Sequence, residues 1–258
     1  MIEGFRLSPQ QRHVWSLQQA GHLPSYRVGC AVRVDGPFEL KVFEAALRDV
    51  VERHEIFRTT FTPSPVSSVS VQVVSEGKVP AIEINDLREQ NLRDAEEFLP
   101  EFDDSSPIRI SLNVLAADKH VLHISLSALC ADAATLTILV RELSLSYSAR
   151  LRGEVRAAGP LQYADVAEWK NELLESEVSA SGKNYWRKQN SCSVPRLALP
   201  FERVGSPAAS FEPRAVVLDI KSTLAAALDV AVRDLDTSTS TFLLACWQTL
   251  VWRLGGQS

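Results

Sequence analysis

The chain has 258 residues, 45% apolar and 23% charged, with a formal net charge of -5. That length suits one large domain or two small ones, and the acidic balance lacks the basic face by which nucleic acid is held. No apolar run approaches the ~18 residues of a membrane span, and the opening Met-Ile-Glu-Gly-Phe-Arg has no basic region followed by an apolar core, so it does not read as a signal peptide. The cysteines, at 30, 130, 192 and 246, are too scattered for a CxxC zinc site or a disulfide framework, and none of His13, His22, His54, His120 and His123 falls in an HExxH spacing. The expected setting is reducing and cytoplasmic, with no metal, nucleic-acid or membrane partner.

In chain order, Ser8 before Pro9 predicts a capped helix running to about Gln19. Tyr26 to Asp35 alternates as a strand, and Asp35-Gly36-Pro37 turns the chain. Glu39 to His54 is a strongly amphipathic helix, with Phe43, Leu47, Val50 and Val51 on its inner face. A strand pair is expected at 57–61 and 69–74, a short strand at 81–86, a charged helix at 88–102, and strands at 108–116 and 119–127. Helices follow at 136–151, 163–174 and 179–189. From 190 to 213 prolines and serines accumulate without periodicity, which marks a linker; a strand at 215–220 and helices at 224–234 and 241–254 close the chain. Hairpins mixed with helices, without regular βαβ alternation, predict an α+β fold, a mixed sheet with covering helices.

One stretch draws attention chemically. From Lys119 to Ser127 the residues alternate, with Val121, His123, Ser125 and Ser127 on one face and Leu122, Ile124 and Leu126 on the other. A turn of small residues follows, holding a single acid, Asp132, just before an apolar helix pattern. An acid in that place is either a reactive group, a helix cap or half of an ion pair. Cys130 in the same turn has no basic neighbour in sequence, so a buried, inert thiol is expected. His123 is expected to be an ordinary strand residue, and the five tryptophans to pack in the core or between lobes.

Four ordered segments resemble the condensation-domain family of nonribosomal peptide synthetases. Leu7-Ser-Pro-Gln-Gln-Arg-His-Val-Trp15 is similar to that family's opening motif, and Arg53-His-Glu-Ile-Phe-Arg-Thr-Thr-Phe61 to its second. Tyr163-Ala-Asp-Val-Ala-Glu-Trp169, with Tyr185-Trp186, is similar to its fourth, and Phe102-Asp and Pro107-Ile-Arg fall where the family has similar residues. The resemblance implies a chloramphenicol acetyltransferase-like lobe over 1–189, a linker at 190–213, and the beginning of a second, incomplete lobe at 214–258. It also implies an amide-bond-forming acyltransferase whose partners are peptidyl or aminoacyl carrier proteins and adjacent adenylation or other synthetase modules. No cofactor is expected to bind directly; the phosphopantetheine arm of the carrier protein is implied as the bearer of substrate.

The family's catalytic motif is His-His-x-x-x-Asp-Gly. Aligned on the acid, this chain reads Ser127-Ala128-Leu129-Cys130-Ala131-Asp132-Ala133. Ala128 stands where the family's second histidine orients or deprotonates the attacking amine, and a methyl group does neither. Ser127 and Asp132 are the remaining catalytic candidates. By resemblance Asp132 is also expected to brace the motif as an ion pair with Arg58. Two readings follow. In one, the domain has lost standard amide formation and is retained for structural, carrier-protein or partner-protein interaction. In the other, it is an active variant, condensing or heterocyclising, that relies on Ser127 and Asp132 or on positioning alone.

Overall fold

The strands expected at 108–116 and 119–127 form a hairpin, Ile108–Ala116 (β6) and Lys119–Ser127 (β7), in the middle of a four-stranded sheet. The computed structural model describes residues 4–21, 26–63, 70–76, 79–89, 106–154, 159–190, 199–200 and 218–255. Arg27–Asp35 (β2) pairs antiparallel with β7 along its whole length, and Ile82–Asp86 (β5) pairs parallel with β6, giving the order β2-β7-β6-β5. The sheet is therefore mixed, as expected. Gly36, at φ 110°, makes the turn after β2, a backbone angle that glycine adopts without Cβ strain, and its N–H donates to Asp118 O in the β6–β7 turn.

Period-2 alternation divides this sheet into two faces. Ile108, Ile110 and Leu112 of β6 and Leu122, Ile124 and Leu126 of β7 are buried on one side. Against them pack Leu40–Arg53 (α2) and Ala133–Leu151 (α3). Helical periodicity brings Phe43, Leu47, Val50 and Val51 of α2, and Leu136, Leu139 and Leu143 of α3, onto the same cluster. Burying each such side chain contributes about 1.5–3 kcal/mol. Two ion pairs tie the helices together across their polar margins, Arg53 to Glu142 at 2.7 Å, largely buried, and Arg150 to Asp49.

A second, three-stranded antiparallel sheet has the order β1-β4-β3, built from Phe5–Arg6 (β1), Thr59–Pro63 (β3) and Ser70–Val74 (β4). The expected strand pair is there. β1 has too few residues to show a period and was not foreseen. The remaining helices are Pro9–Gly21 (α1), Tyr163–Glu175 (α4), Ala180–Asn190 (α5), Ser222–Asp234 (α6) and Thr239–Gly255 (α7). The charged helix expected at 88–102 lies almost wholly outside the described residues. Only the last three residues of the strand expected at 215–220 are described, and they have no regular structure.

By its contacts the chain divides into two compact units, Met1–Gly182 and Lys183–Ser258. The division falls within α5, shortly before the lobe end expected at 189; most of the 190–213 linker lies outside the described residues. The second unit includes the α6–α7 pair, joined by a turn in which Asp236 takes a left-handed φ of 46° and Ser238 accepts the Thr241 N–H to cap α7. Trp169, Trp186, Trp247 and Trp252 are exposed, so these four do not pack in a core, and Trp15 is half-buried.

The sheet face against α2 and α3 should carry the stability of the first unit. Ile124→Ala, at a position 1% exposed, is expected to cost about 2–5 kcal/mol in urea denaturation. Ile138→Ala, on the open side of α3, should stay within about 0.5 kcal/mol.

Candidate functional site

The end of β7 runs into a tight turn whose backbone is satisfied locally. The Ser127 carbonyl accepts the N–H groups of Cys130 and Ala131, Ser127 N–H donates to Pro107 O, and Ala128 N–H donates to Tyr26 O. The Ser127 hydroxyl oxygen accepts the Leu129 N–H at 3.3 Å. Ser127 is thus a turn-forming residue, and it does not line the cleft described below.

Asp132 ends the turn as the N-cap of α3. Its Oδ1 accepts from Thr135 N–H at 2.8 Å and from Thr135 Oγ1 at 2.7 Å, and Thr135 Oγ1 in turn accepts the Asp132 N–H. This reciprocal box explains why α3 starts at Ala133, one turn earlier than its apolar pattern. Hydrogen bonds from the Thr135 backbone and hydroxyl hold the Asp132 carboxyl below the usual carboxylate range.

The expected ion pair between Asp132 and Arg58 is not made. Arg58 Nη2 meets Glu55 at 3.2 Å and Nη1 donates to Ser75 O at 2.8 Å. Glu55 lies one short helical turn before Arg58, in the 3-10 turn Glu55–Arg58, so the guanidinium finds a local acceptor. The helix terminus claims the carboxylate. The rest of the second motif is braced from elsewhere: Arg53 by Glu142, and the backbone of Glu55 and Arg53 by the Gln162 carboxamide at 3.0 Å on each side.

Sequence reading missed the residue that fixes the motif turn. Gln11 is 3% exposed; its Oε1 accepts the Ser8 N–H, and its Nε2 donates to Leu129 O at 3.1 Å and Gln72 Oε1 at 3.3 Å. Ser8 Oγ caps the Gln11 N–H and hydrogen-bonds the Tyr163 hydroxyl at 2.9 Å, while Asn171 donates to Leu7 O. The available signal was the spacing Ser8-x-x-Gln11, a capping-box pattern.

These contacts leave a cleft of about 410 Å³, within the range of small-ligand sites. Its floor is the motif turn from Ala128 to Asp132; α1 gives one wall through Gln10, Gln11 and Val14, and α4 another through Tyr163 and Lys170. Ala128 presents a methyl group there. Among the described residues no histidine lines the cleft; His22 lies outside them. Burial pushes the Cys130 thiol up to about 12, the nearby charge of Arg27 offsetting only part of that, so it stays a thiol as expected. His123 is buried on the sheet face opposite the helices, its Nε2 3.2 Å from Asn113 Nδ2, and desolvation holds its pKa below the ordinary histidine value. Among the described residues there is no His, Cys, Asp and Glu group able to hold a metal, and no helix is long and apolar enough to cross a membrane.

The Condensation domain family model matches residues 2–258. The chain belongs to the condensation-domain family. It is 30% identical over 272 residues to a linear gramicidin synthase of Brevibacillus parabrevis, covering 98% of this chain and 3% of that protein. It is 32% identical over 210 residues to a dimodular nonribosomal peptide synthase of Bacillus subtilis (strain 168), covering 77% of this chain and 9% of that protein. Among solved structures, the X-domain from teicoplanin biosynthesis matches with a TM-score of 0.78 at 26% identity, over 98% of this chain and 58% of that one. The same domain in complex with OxyB gives a TM-score of 0.77 at 27% identity, over 98% and 57%. The chain therefore spans a small fraction of its synthetase relatives and somewhat more than half of the solved X-domain chains, and the lobe has the chloramphenicol acetyltransferase-like fold of this family.

Two measurements follow from this geometry. Asp132→Ala should cost about 0.5–2 kcal/mol, as loss of a helix cap, and Asp132→Asn less, since asparagine also caps. A buried ion pair broken at one partner would cost about 3–5 kcal/mol, and the Asp132→Ala and Arg58→Ala effects should add rather than couple in a double-mutant cycle. His123 gives a pH signature. At high pH its imidazole is neutral folded and unfolded, and nothing is lost. As pH falls through the unfolded value of 6.5 the unfolded chain takes up a proton that the folded chain refuses, so stability should drop, levelling off below the depressed folded value. Urea titrations from pH 8 to 5 should show this slope, and His123→Gln should reduce it.

Proposed function

We propose that this lobe is a condensation-type domain of a nonribosomal peptide synthetase that no longer performs the standard amide-forming step and is kept for interaction with carrier or partner proteins. One observation carries the reading: where the family motif has its second histidine, the cleft wall is the methyl of Ala128, and no imidazole among the described residues replaces it. The motif's one acid, Asp132, does not take over. A carboxylate held below its usual range by Thr135 is a weak proton acceptor, and one oxygen is already committed to the helix cap. The Ser127 hydroxyl is engaged in its own turn and has no base beside it.

The solved X-domains support an interaction role, one of them having been captured in complex with OxyB. The same kind of partner-docking role is what we propose here, alongside carrier proteins and neighbouring synthetase modules, in a cytoplasmic assembly line. The phosphopantetheine arm belongs to the carrier protein and bears the substrate. The apolar lining at Val14, Ile56 and Leu129 suits an acyl group, but the described lining residues include no imidazole to withdraw a proton from an amine. The active-variant reading draws on the fact that Asp132 lines the cleft, where positioning alone would have to supply the rate.

A condensation assay with loaded donor and acceptor carrier proteins decides between the two. The expected result is no peptide product above the uncatalysed rate, with carrier-protein binding still measurable by calorimetry. Loss of a positioned base accounts for about 10²–10⁴-fold in rate, so Ala128→His is the matched gain-of-function arm. Robust product that survives Ser127→Ala and Asp132→Ala would overturn this reading of the motif.

A further inference from the structure

The cleft walls carry two formal charges, and they do not meet. Asp132 is exposed, ionised and immobilised by Thr135 through Oδ1, and no cation pairs with it among the described residues. Lys170 is half-buried on α4 and has neither an ion pair nor a hydrogen bond among the described residues. The other lining groups bring no compensating charge: the Cys130 thiol is neutral, the Tyr163 hydroxyl is tied to Ser8 Oγ, and the Gln11 carboxamide is fully used. The same cleft is lined by the apolar side chains of Ala128, Leu129, Val14 and Ile56.

An aminoacyl thioester on a carrier arm has lost its carboxylate charge and would leave Lys170 unopposed. An anion would leave Asp132 unopposed, and face it across the cleft. The ligand that answers both ends is dipolar. We propose that this cleft binds a short linear peptide with both termini free and apolar side chains, its ammonium toward Asp132 and its carboxylate toward Lys170. A peptide fits better than a single amino acid, because the cleft, at about 410 Å³, is larger than one residue fills and its lining is largely apolar. The inference rests on the reading that the cleft no longer forms amides. A carboxylate partner keeps the peptide's amine protonated, with its lone pair held by the proton, and Ala128 offers nothing to take that proton away. The same arrangement that stops the chemistry makes a binding site for the unreacted dipole.

The test is calorimetric titration of the full chain with Leu-Leu, N-acetyl-Leu-Leu and Leu-Leu-amide. Leu-Leu should bind saturably, and blocking either terminus should weaken it about fivefold or more, since each block removes one charge-assisted contact. Asp132→Asn, which retains a capping side chain, should abolish the difference between Leu-Leu and its N-acetyl form. Lys170→Gln should abolish the difference between Leu-Leu and its amide. No saturable binding of Leu-Leu, equal binding of the blocked peptides, or variants that weaken all three peptides alike would each overturn the proposal, and the wild-type comparison of the three peptides needs no variant to fold. Product in the carrier-protein condensation assay would instead count against the loss of amide formation, a separate readout from these titrations.

Discussion

The buried carboxamide of Gln11 holds the first unit's site together. One side chain accepts from the start of α1, donates into the motif turn at Leu129 O, and donates to Gln72, whose own amide donates to Arg6 O in the small sheet. A group with no access to water must find its partners in the protein, and leaving one unmade costs its full desolvation. The position of the motif turn relative to α1 is therefore set by hydrogen bonds that α1 cannot satisfy elsewhere. Tyr163 on Ser8 and Asn171 on Leu7 O bring α4 to the same place, so the cleft's walls and floor are positioned by one connected polar network.

That network is intact with Ser127 and Ala128 at the head of the motif turn. The framework segments shared with the family serve the fold: Arg53 holds Glu142 across α2 and α3, Gln162 satisfies the backbone at Arg53 and Glu55, and Ser8 and Gln11 cap α1. None of these depends on what stands at 128. The cleft's shape is thus fixed by packing and capping contacts that do not involve the side chain at 128. The X-domains of teicoplanin biosynthesis, similar to this chain over nearly its whole length, show the scaffold in a complex with another protein.

What the sequence disclosed depended on whether the determining contacts were local. Strands β6 and β7 and helix α2 were legible to within a residue or so, since alternation and 3.6-residue periodicity are properties of the segment itself. The start of α3 was missed by one turn because Asp132 and Thr135 cap a stretch of small residues that carries no apolar pattern. β1 escaped because a strand so short has no period, and the parallel pairing of β5 with β6 because register across a long connection leaves no mark in either strand. The family was legible from four short segments, and the motif alignment that places Ala128 at a histidine position rests on that resemblance. The partner of Arg58 was not: Glu55 and Asp132 offer the same carboxylate, and the choice turns on which one a helix terminus has already taken.

That choice has a chemical consequence. A carboxylate paired with a guanidinium is neutralised and presents little field to a ligand. Asp132, capping α3 through Oδ1, stays ionised and exposed at the edge of the cleft, and the partial positive charge of the helix terminus helps keep it ionised. In the proposed binding mode an amine arriving beside it is stabilised as ammonium, the unreactive form. In a domain with an imidazole at 128 that stabilisation would be opposed by a base with a pKa near neutrality. On the function proposed above it stands unopposed, and the Asp132 carboxylate free of Arg58 and the alanine at 128 then act in the same direction, favouring the holding of amines over reaction with them.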